Sequence, residues 1–232
     1  MKGLHTLPEP MVVGTIHSAG ALRCALRLEP GQLDLLELRV DSFADAPEKL
    51  WRAIPRLPAP LLLTVRHPRE GAAQVLSVAE RRRLFRQFLP LVQWMDVEAR
   101  SVRSLKAEIA YAVTMGVRLV VSDHDFRATP GVERMEERFA LAQAAGAEVF
   151  KLAATLRSPG DLERMLGFLN RHEPGSIAAM GMGPLGKVSR LVLGACGSVL
   201  NYGYLDRPQV PGQWEATCLK ERLRELRGPA LV

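Results

Sequence analysis

Lys151 stands where a charged side chain is out of place. It interrupts the run Val149-Phe150-Lys151-Leu152-Ala153, and an ammonium inside an apolar strand is disfavoured. Desolvation and nearby arginines favour its neutral form. A neutral amine is what imine formation with a ketone requires. The alternative is a lysine that snorkels from the strand end to solvent. A proton carrier is available in Ser122-Asp123-His124-Asp125, because imidazole titrates near neutrality. Other charges recur in the same way. Glu37-Leu38-Arg39-Val40-Asp41 sets three charged side chains on one side of a strand. Thr64-Val65-Arg66 runs into His67-Pro68-Arg69-Glu70. Asp96-Val97-Glu98 offers two more carboxylates, and Arg190 follows Met180-Gly181-Met182.

Each of these has a bland reading. A strand-end Arg or Glu is usually a solvated or ion-paired terminus, and two methionines are ordinarily core filling. For Asp41, His67 and Asp125 the structural reading is the better one. The cluster is harder to dismiss. Glu37, Arg39, Arg66, Glu98, His124, Lys151 and Arg190 would share one end of a sheet. Burying that many charges is costly unless they pair with one another or with a ligand.

The elements that must position them alternate from end to end. Strands are predicted over Met11–His17, Leu33–Val40, Pro60–Arg66, Trp94–Glu98, Arg118–His124, Glu148–Ala153, Ser176–Met182 and Ser198–Tyr204. Helical periodicity falls between them, over Ala21–Leu28, Ala46–Ile54, Val78–Leu91, Val102–Met115, Val132–Ala145, Pro159–Arg171 and Leu185–Ala195. An eighth helix follows at Glu215–Leu226. Ser77 and Glu80 have capping-box spacing. Ser158-Pro159 places a cap before a proline suited to the first turn. Gly116 and Gly146 fall where helices should stop. Several strands are nearly continuous apolar runs, as when both faces are buried. Eight βα units imply an α/β fold, a (β/α)8 TIM barrel forming a single domain over residues 1–232. The polar strand ends would then converge on its mouth. An open doubly wound sheet would normally carry a glycine-rich phosphate turn after its first strand. His17-Ser18-Ala19-Gly20 is not one.

Composition narrows the class. The 232 residues are 47% hydrophobic, ample for a core, with mean hydropathy +0.01 and no case for disorder. No apolar run approaches the roughly 20 residues that span a bilayer. The N-terminal Met1–His5, with prolines at 8 and 10, lacks an apolar leader pattern, so secretion is not expected. Thirty-one Lys+Arg against 25 Asp+Glu give +6. That excess suits a solvated surface or an anionic small molecule. The run Arg81-Arg82-Arg83 is short and lies inside a helical pattern, so nucleic acid is not expected as a partner. Cys24, Cys196 and Cys218 are an odd set without CxxC spacing, which points away from a disulfide framework or zinc and toward a reducing cytoplasm.

The order of these motifs resembles the type I 3-dehydroquinate dehydratase family, over nearly the whole chain. Glu37–Asp41 resembles its ExRxD strand, and Thr64–Arg66 with Arg69-Glu70-Gly71 its third strand and turn. Asp96–Glu98 and then Val120–Phe126, continued by Thr129-Pro130, resemble the segment around its catalytic histidine. Lys151 occupies the Schiff-base position. Met180–Met182 with Gly186–Arg190 resembles its carboxylate-binding segment, and Pro211-Gly212-Gln213 its lid loop.

The resemblance implies dehydration of 3-dehydroquinate to 3-dehydroshikimate by syn elimination, the third step of the shikimate pathway. Lys151 would form the imine, His124 would be the acid/base, and Glu70 would orient it. Glu37, Arg39 and Arg66 would hold the ring hydroxyls, Arg190 the carboxylate, and Gln209 and Gln213 would reach it from the lid. No metal or organic cofactor is implied. Family members are often homodimers. Two positions depart from the pattern: Asp123 precedes the histidine, where the family usually has a neutral residue, and Gln209 replaces a common lid serine. Asp123 would either raise the histidine's basicity or point away. Other readings stay open at this stage. One is a different Schiff-base lyase, such as a class I aldolase, which would more naturally bind a phosphate. The other is a non-catalytic barrel that binds a shikimate-like acid.

Overall fold

Short runs rich in Leu, Val and Ile, each followed by an amphipathic stretch, make strands that are covered by helices. The structure is a computed structural model and describes residues 9–227. The N-terminal segment read above for a leader therefore lies mostly outside the described residues. The strands are β1 (Met11–Ile16), β2 (Leu35–Arg39), β3 (Leu61–Thr64), β4 (Trp94–Glu98), β5 (Arg118–Asp125), β6 (Val149–Thr155), β7 (Ile177–Met182) and β8 (Leu200–Tyr204). The helices are α1 (Ala19–Ala25), α2 (Glu48–Ala53), α3 (Val78–Phe88), α4 (Lys106–Thr114), α5 (Val132–Ala144), α6 (Pro159–Arg171), α7 (Gly186–Ala195) and α8 (Ala216–Arg227).

All strand pairs are parallel, and β8 pairs with β1. The result is a nearly closed barrel with helices between its strands. The seam lies between β7 and β8, which form no ladder. There the Ser198 hydroxyl bonds both the N–H and the carbonyl of Ala179, and Val199 N–H donates to Ile177 O at 3.0 Å.

The inward side chains form layers. At the base stand Val13, Leu35, Leu62, Trp94, Val120, Val149, Ala178 and Leu200, one from each strand and all buried. Two residues further along each strand, pointing the same way, come Thr15, Glu37, Thr64, Asp96, Ser122, Lys151, Met180 and Tyr202. A single step along the barrel thus changes a packed apolar layer into a mostly polar one.

The expected capping box of Ser77 with Glu80 forms, and Ser158 caps α6 ahead of Pro159, its N–H and hydroxyl both donating to Asp161. α4 starts later than its periodicity predicts, at Lys106 rather than Val102. Ser101, the last residue of the 3-10 turn Ala99–Ser101, stands at the head of the intervening turn. Its hydroxyl bonds Glu98 and Arg81, while its carbonyl accepts from Ser104 Oγ and Leu105 N, so the chain turns before the helix begins. The run Arg81-Arg82-Arg83 lies inside a helix, as expected, but its first residue does not face solvent. Arg81 takes a core position on α3 beside Leu84, Phe85 and Phe88 and is fully buried.

Candidate active site

β4 to β6 bring the reactive groups together because their registers are fixed. Ser122 pairs with Lys151 and His124 with Ala153 across β5 and β6. His124 and Lys151 therefore project into the same barrel from neighbouring strands. Lys151 Nζ donates to Asp96 Oδ2 at 2.7 Å and lies 3.9 Å from Glu37 Oε1. It also sits 4.1 Å from the centroid of the Tyr202 ring. The lysine is only 3% exposed, so it is enclosed and does not snorkel to solvent.

Asp96 joins the network together. Besides Lys151 it accepts from Ser122 Oγ and from both terminal nitrogens of Arg66. Burial alone would raise its pKa. The charges of Arg66 and Lys151 outweigh that and hold it well below the usual carboxylate range. Arg66 also bonds Glu98 and Ser122 and approaches Glu37 at 3.7 Å. Burial works against its charge, but Asp96, Glu98 and Glu37 prevail and raise its pKa well above normal. Glu37 accepts from Thr15 and Thr64. Glu98 does not border the cavity as expected. It lies beneath, between Arg66 on one side and Arg81 on the other.

His124 is held by a second carboxylate. Its Nδ1 is 2.8 Å from Glu70 Oε2, and Arg100 Nε donates to the other Glu70 oxygen at 2.6 Å. Glu70 is placed by the 3-10 turn Pro68–Glu70, which Gly71 ends in a left-handed conformation. Burial, followed by the charges of Arg66 and Lys151, lowers the His124 pKa well below its ordinary value. The ring is therefore neutral and able to accept a proton at Nε2. Phe126 lies nearly parallel to it, centroids 6.2 Å apart. Asp123 points away from the imidazole, toward Arg138 on α5, and burial raises its pKa.

Arg39 is clamped by Asp41 through two hydrogen bonds and also donates to Gly71 O. Asp41 further accepts from the N–H groups of Arg66 and Ala73, so it is structural, as expected. His67 accepts from Arg69 N, and Asp125 from the N–H groups of Arg127 and Ala128. Both therefore serve local turns.

Arg190 reaches the cavity from an outer helix. A Cβ at Gly181 would collide with Ser189, so the glycine lets α7 ride close on β7. Arg190, next in sequence, lies against the unpaired seam, and its Nη1 donates to Tyr202 O at 2.7 Å. Its Nε is buried without a partner, and burial pulls its pKa down to about 10. No carboxylate pairs with it among the described residues.

The segment after β8 covers the mouth. Gly212 packs directly on Gly186, where either Cβ would clash, and Pro211 O accepts from Gly183 N. Gln213 Oε1 accepts from the N–H groups of Gln209 and Val210, which leaves its NH2 group for a ligand.

The residues to which the resemblance gives roles all border one cavity of about 200 Å³: Glu37, Arg39, Arg66, Glu70, His124, Lys151, Arg190, Gln209 and Gln213. Its other walls include Thr15, Phe126, Met180, Met182 and Tyr202. Sequence reasoning left Asp96, Arg81, Arg100 and Tyr202 without a role. Arg81 alone had a usable signal, because it falls in step with Leu84, Phe85 and Phe88 on one helix face. The arrangement joins an enclosed amine, a neutral imidazole and an unpaired guanidinium. It can form an imine, move a proton next to it, and hold an anion.

The model of the family described as type I 3-dehydroquinase matches residues 13–228. A 3-dehydroquinate dehydratase of Thermococcus gammatolerans is 31% identical, over 94% of this chain and 100% of its own length. Among solved structures, the 3-dehydroquinate dehydratase of Geobacillus kaustophilus superposes with a TM-score of 0.84 at 27% identity, covering 96% of this chain and 93% of that one. The type I enzyme of Clostridium difficile, with covalently modified comenic acid, gives 0.83 at 26% identity, covering 94% and 92%.

Proposed function

The chain belongs to the type I 3-dehydroquinase family and is thereby a hydro-lyase, and we propose that it dehydrates 3-dehydroquinate through an imine on Lys151. The observation that carries this is the enclosed Lys151 amine, set one strand from the His124–Glu70 pair in a cavity that also holds an unpaired arginine.

The steps follow from which groups can take a proton. Lys151 must lose one before it attacks the C3 ketone. Asp96 is a poor acceptor, because Arg66 and Lys151 stabilise its anion. Neutral His124 is a better one. Attack gives a carbinolamine, and His124 returns the proton as water departs. The iminium then draws electrons from the C2–H bond, and His124 removes that proton to leave an enamine. The enamine expels the C1 hydroxyl, protonated by His124, in a syn elimination. Water hydrolyses the product iminium and frees 3-dehydroshikimate and Lys151. The water lost in forming the imine is regained there, so the net change is loss of one water.

Glu70 accepts from Nδ1–H, which fixes the tautomer and leaves Nε2 toward the substrate. Arg190 would pair with the substrate carboxylate, filling its missing contact. Glu37 and Arg39 would hold ring hydroxyls. Arg66 supports them by holding Asp96 and Glu37 in place, since its own donors are already occupied. Gln209 and Gln213 would close the mouth. The covalent acid in the Clostridium difficile relative is in keeping with a site that bonds to a ring acid. The reading places the enzyme in the cytoplasm at the third step of the shikimate pathway and allows for a homodimer. The test is borohydride reduction in the presence of 3-dehydroquinate, followed by peptide mapping. The expected result is an adduct on Lys151.

A further inference from the structure

Tyr202 has no part in the steps above, yet two of its contacts invite one. Its hydroxyl is buried without a hydrogen-bond partner among the described residues, a condition that folded proteins seldom leave unanswered. The acceptors near it are already engaged: Glu37 by Thr15 and Thr64, and Asp96 by Arg66, Ser122 and Lys151. The second contact is the ring face, which lies 4.1 Å from Lys151 Nζ. Packing alone explains neither. The neighbouring position on β7 is filled by Met180, and an apolar side chain would serve equally at 202. The residue also anchors Arg190 through its main-chain carbonyl. The two buried donors without partners in this cavity, Tyr202 Oη and Arg190 Nε, are thus carried by residues that touch one another.

Imine chemistry gives both features a use. An ammonium has three N–H donors, but a protonated imine of a lysine has one. As Lys151 condenses, the charge stays while the donors fall away. Asp96 can keep the one that remains. A ring face needs no N–H to attract a cation, so its share in holding the charge grows as the donors fall away. The phenol is a donor throughout, because burial and the nearby Glu37 and Asp96 charges push its pKa well above the usual value.

We propose that Tyr202 contacts the substrate directly: its hydroxyl donates to an oxygen of the lysine-bound ring acid, and its face stabilises the positive imine nitrogen. The face role rests on the imine reading of Lys151; the hydroxyl role needs only that the substrate occupies this cavity. Tyr202→Phe removes the hydroxyl and keeps the face, while Tyr202→Leu removes both.

The whole chain is assayed for KM and kcat with 3-dehydroquinate, for the rate of borohydride trapping at saturating substrate, and for its thermal midpoint without ligand. Tyr202→Phe is expected to raise KM about 3- to 10-fold, the worth of one hydrogen bond. Its unliganded midpoint should be unchanged or higher, and its trapping rate that of the parent. Tyr202→Leu is expected to slow trapping at saturation by about tenfold, the scale of a desolvated cation–ring contact. If Tyr202→Leu does not fold, Tyr202→Met keeps the volume without the ring and replaces it. A parental KM in Tyr202→Phe overturns the hydroxyl role, and so does a lowered unliganded midpoint, which would mark a structural hydrogen bond. Equal trapping rates in all variants overturn the face role. A parent enzyme that is never trapped overturns the imine reading itself, and the Tyr202→Phe KM still decides the hydroxyl role.

Discussion

On the wall of the cavity built by β2 to β6 and the turn after β3, each inward charge meets an opposite one: Lys151 and Arg66 meet Asp96, and Glu70 meets Arg100 while it also receives the neutral His124. On the wall built by β7, α7 and β8, Arg190 meets a main-chain carbonyl, and its Nε meets no partner among the described residues. Both walls are equally buried, so burial does not separate them. The difference is compensation. The first wall is complete without a ligand and can hold reacting groups in fixed positions. The second lacks an anion, and a buried uncompensated charge is tolerable only where something supplies one.

The sharpest break comes from the nucleophile. Lys151→Ala is expected to abolish turnover and borohydride trapping while the fold survives, because Arg66 and Ser122 still hold Asp96. Mass mapping decides it. Trapping on Lys187, which lies 5.0 Å from the Trp214 ring centroid outside the cavity network, would show that the compensated wall is scaffold only. Removal of His124 comes next. His124→Ala should slow turnover by roughly 10²–10⁴, the usual worth of a positioned proton carrier.

The same histidine gives a pH test. A ring whose pKa in the folded protein lies below 6.5 stays neutral as pH falls through that value. The acidic limb of kcat/KM should therefore appear below pH 6.5. A limb at or above 6.5 would mean that the Glu70 contact outweighs burial, and that the base is tuned in the opposite direction.

A matched pair of substitutions sets one wall against the other. Arg66→Met takes one of two cations from each of Asp96 and Glu98, leaving them Lys151 and Arg81, and should cost about 3 kcal/mol of stability, the lower end for a broken buried pair. Arg190→Met removes a cation that has no anionic partner, so the unliganded protein should keep or gain stability. Its KM should rise by roughly 10- to 100-fold, as expected when hydrogen bonds to a charged group are lost. Arg190→Lys keeps the charge but not the fork, so it should recover only part of that loss. Equal destabilisation by both methionine variants, measured in denaturant, would erase the distinction between the walls.

Much of this was legible in the sequence. Apolar runs alternating with helical stretches gave the barrel, and charges at period two placed Glu37, Arg39, Lys151 and His124 at its mouth. The misses have a common cause: they depend on contacts between distant segments. Asp96 and Glu98 look alike along β4, but the register against β3 and β5 sends one to Lys151 and leaves the other between Arg66 and Arg81. Arg81 reads only as part of a short basic run in a helix until Glu98 arrives behind it. Tyr202 is only one more residue of a predicted strand, since an unpartnered hydroxyl cannot be seen until its neighbours are in place. The unzipped seam that admits Arg190 is a property of the closed sheet, not of either strand.

The smallest expected effect lies at the rim, where the second wall is completed by the loop after β8. From its prolines and glycine the sequence suggests a segment, Asp206–Gln213, that is mobile or open until a ligand binds. In the structure the loop is seated over the mouth, by Gly212 on Gly186 and by Gln213 Oε1 accepting from Gln209 N at 2.6 Å. The two views differ in what Gln213 is for. As a latch it holds the loop's own backbone, and as a ligand contact it offers only its remaining NH2 group. Gln213→Ala removes both. KM is expected to rise about 3- to 10-fold, within the range of one or two neutral hydrogen bonds, with kcat less affected because Lys151 and His124 stay in place. Limited proteolysis separates the roles. A latch predicts faster cleavage within 206–213 in the variant even without ligand. A pure ligand contact predicts parental cleavage without ligand and a loss of protection by 3-dehydroshikimate. If the parent is cleaved equally fast with and without saturating 3-dehydroshikimate, the loop is a fixed part of the wall, and only Arg190 and the substrate complete the site.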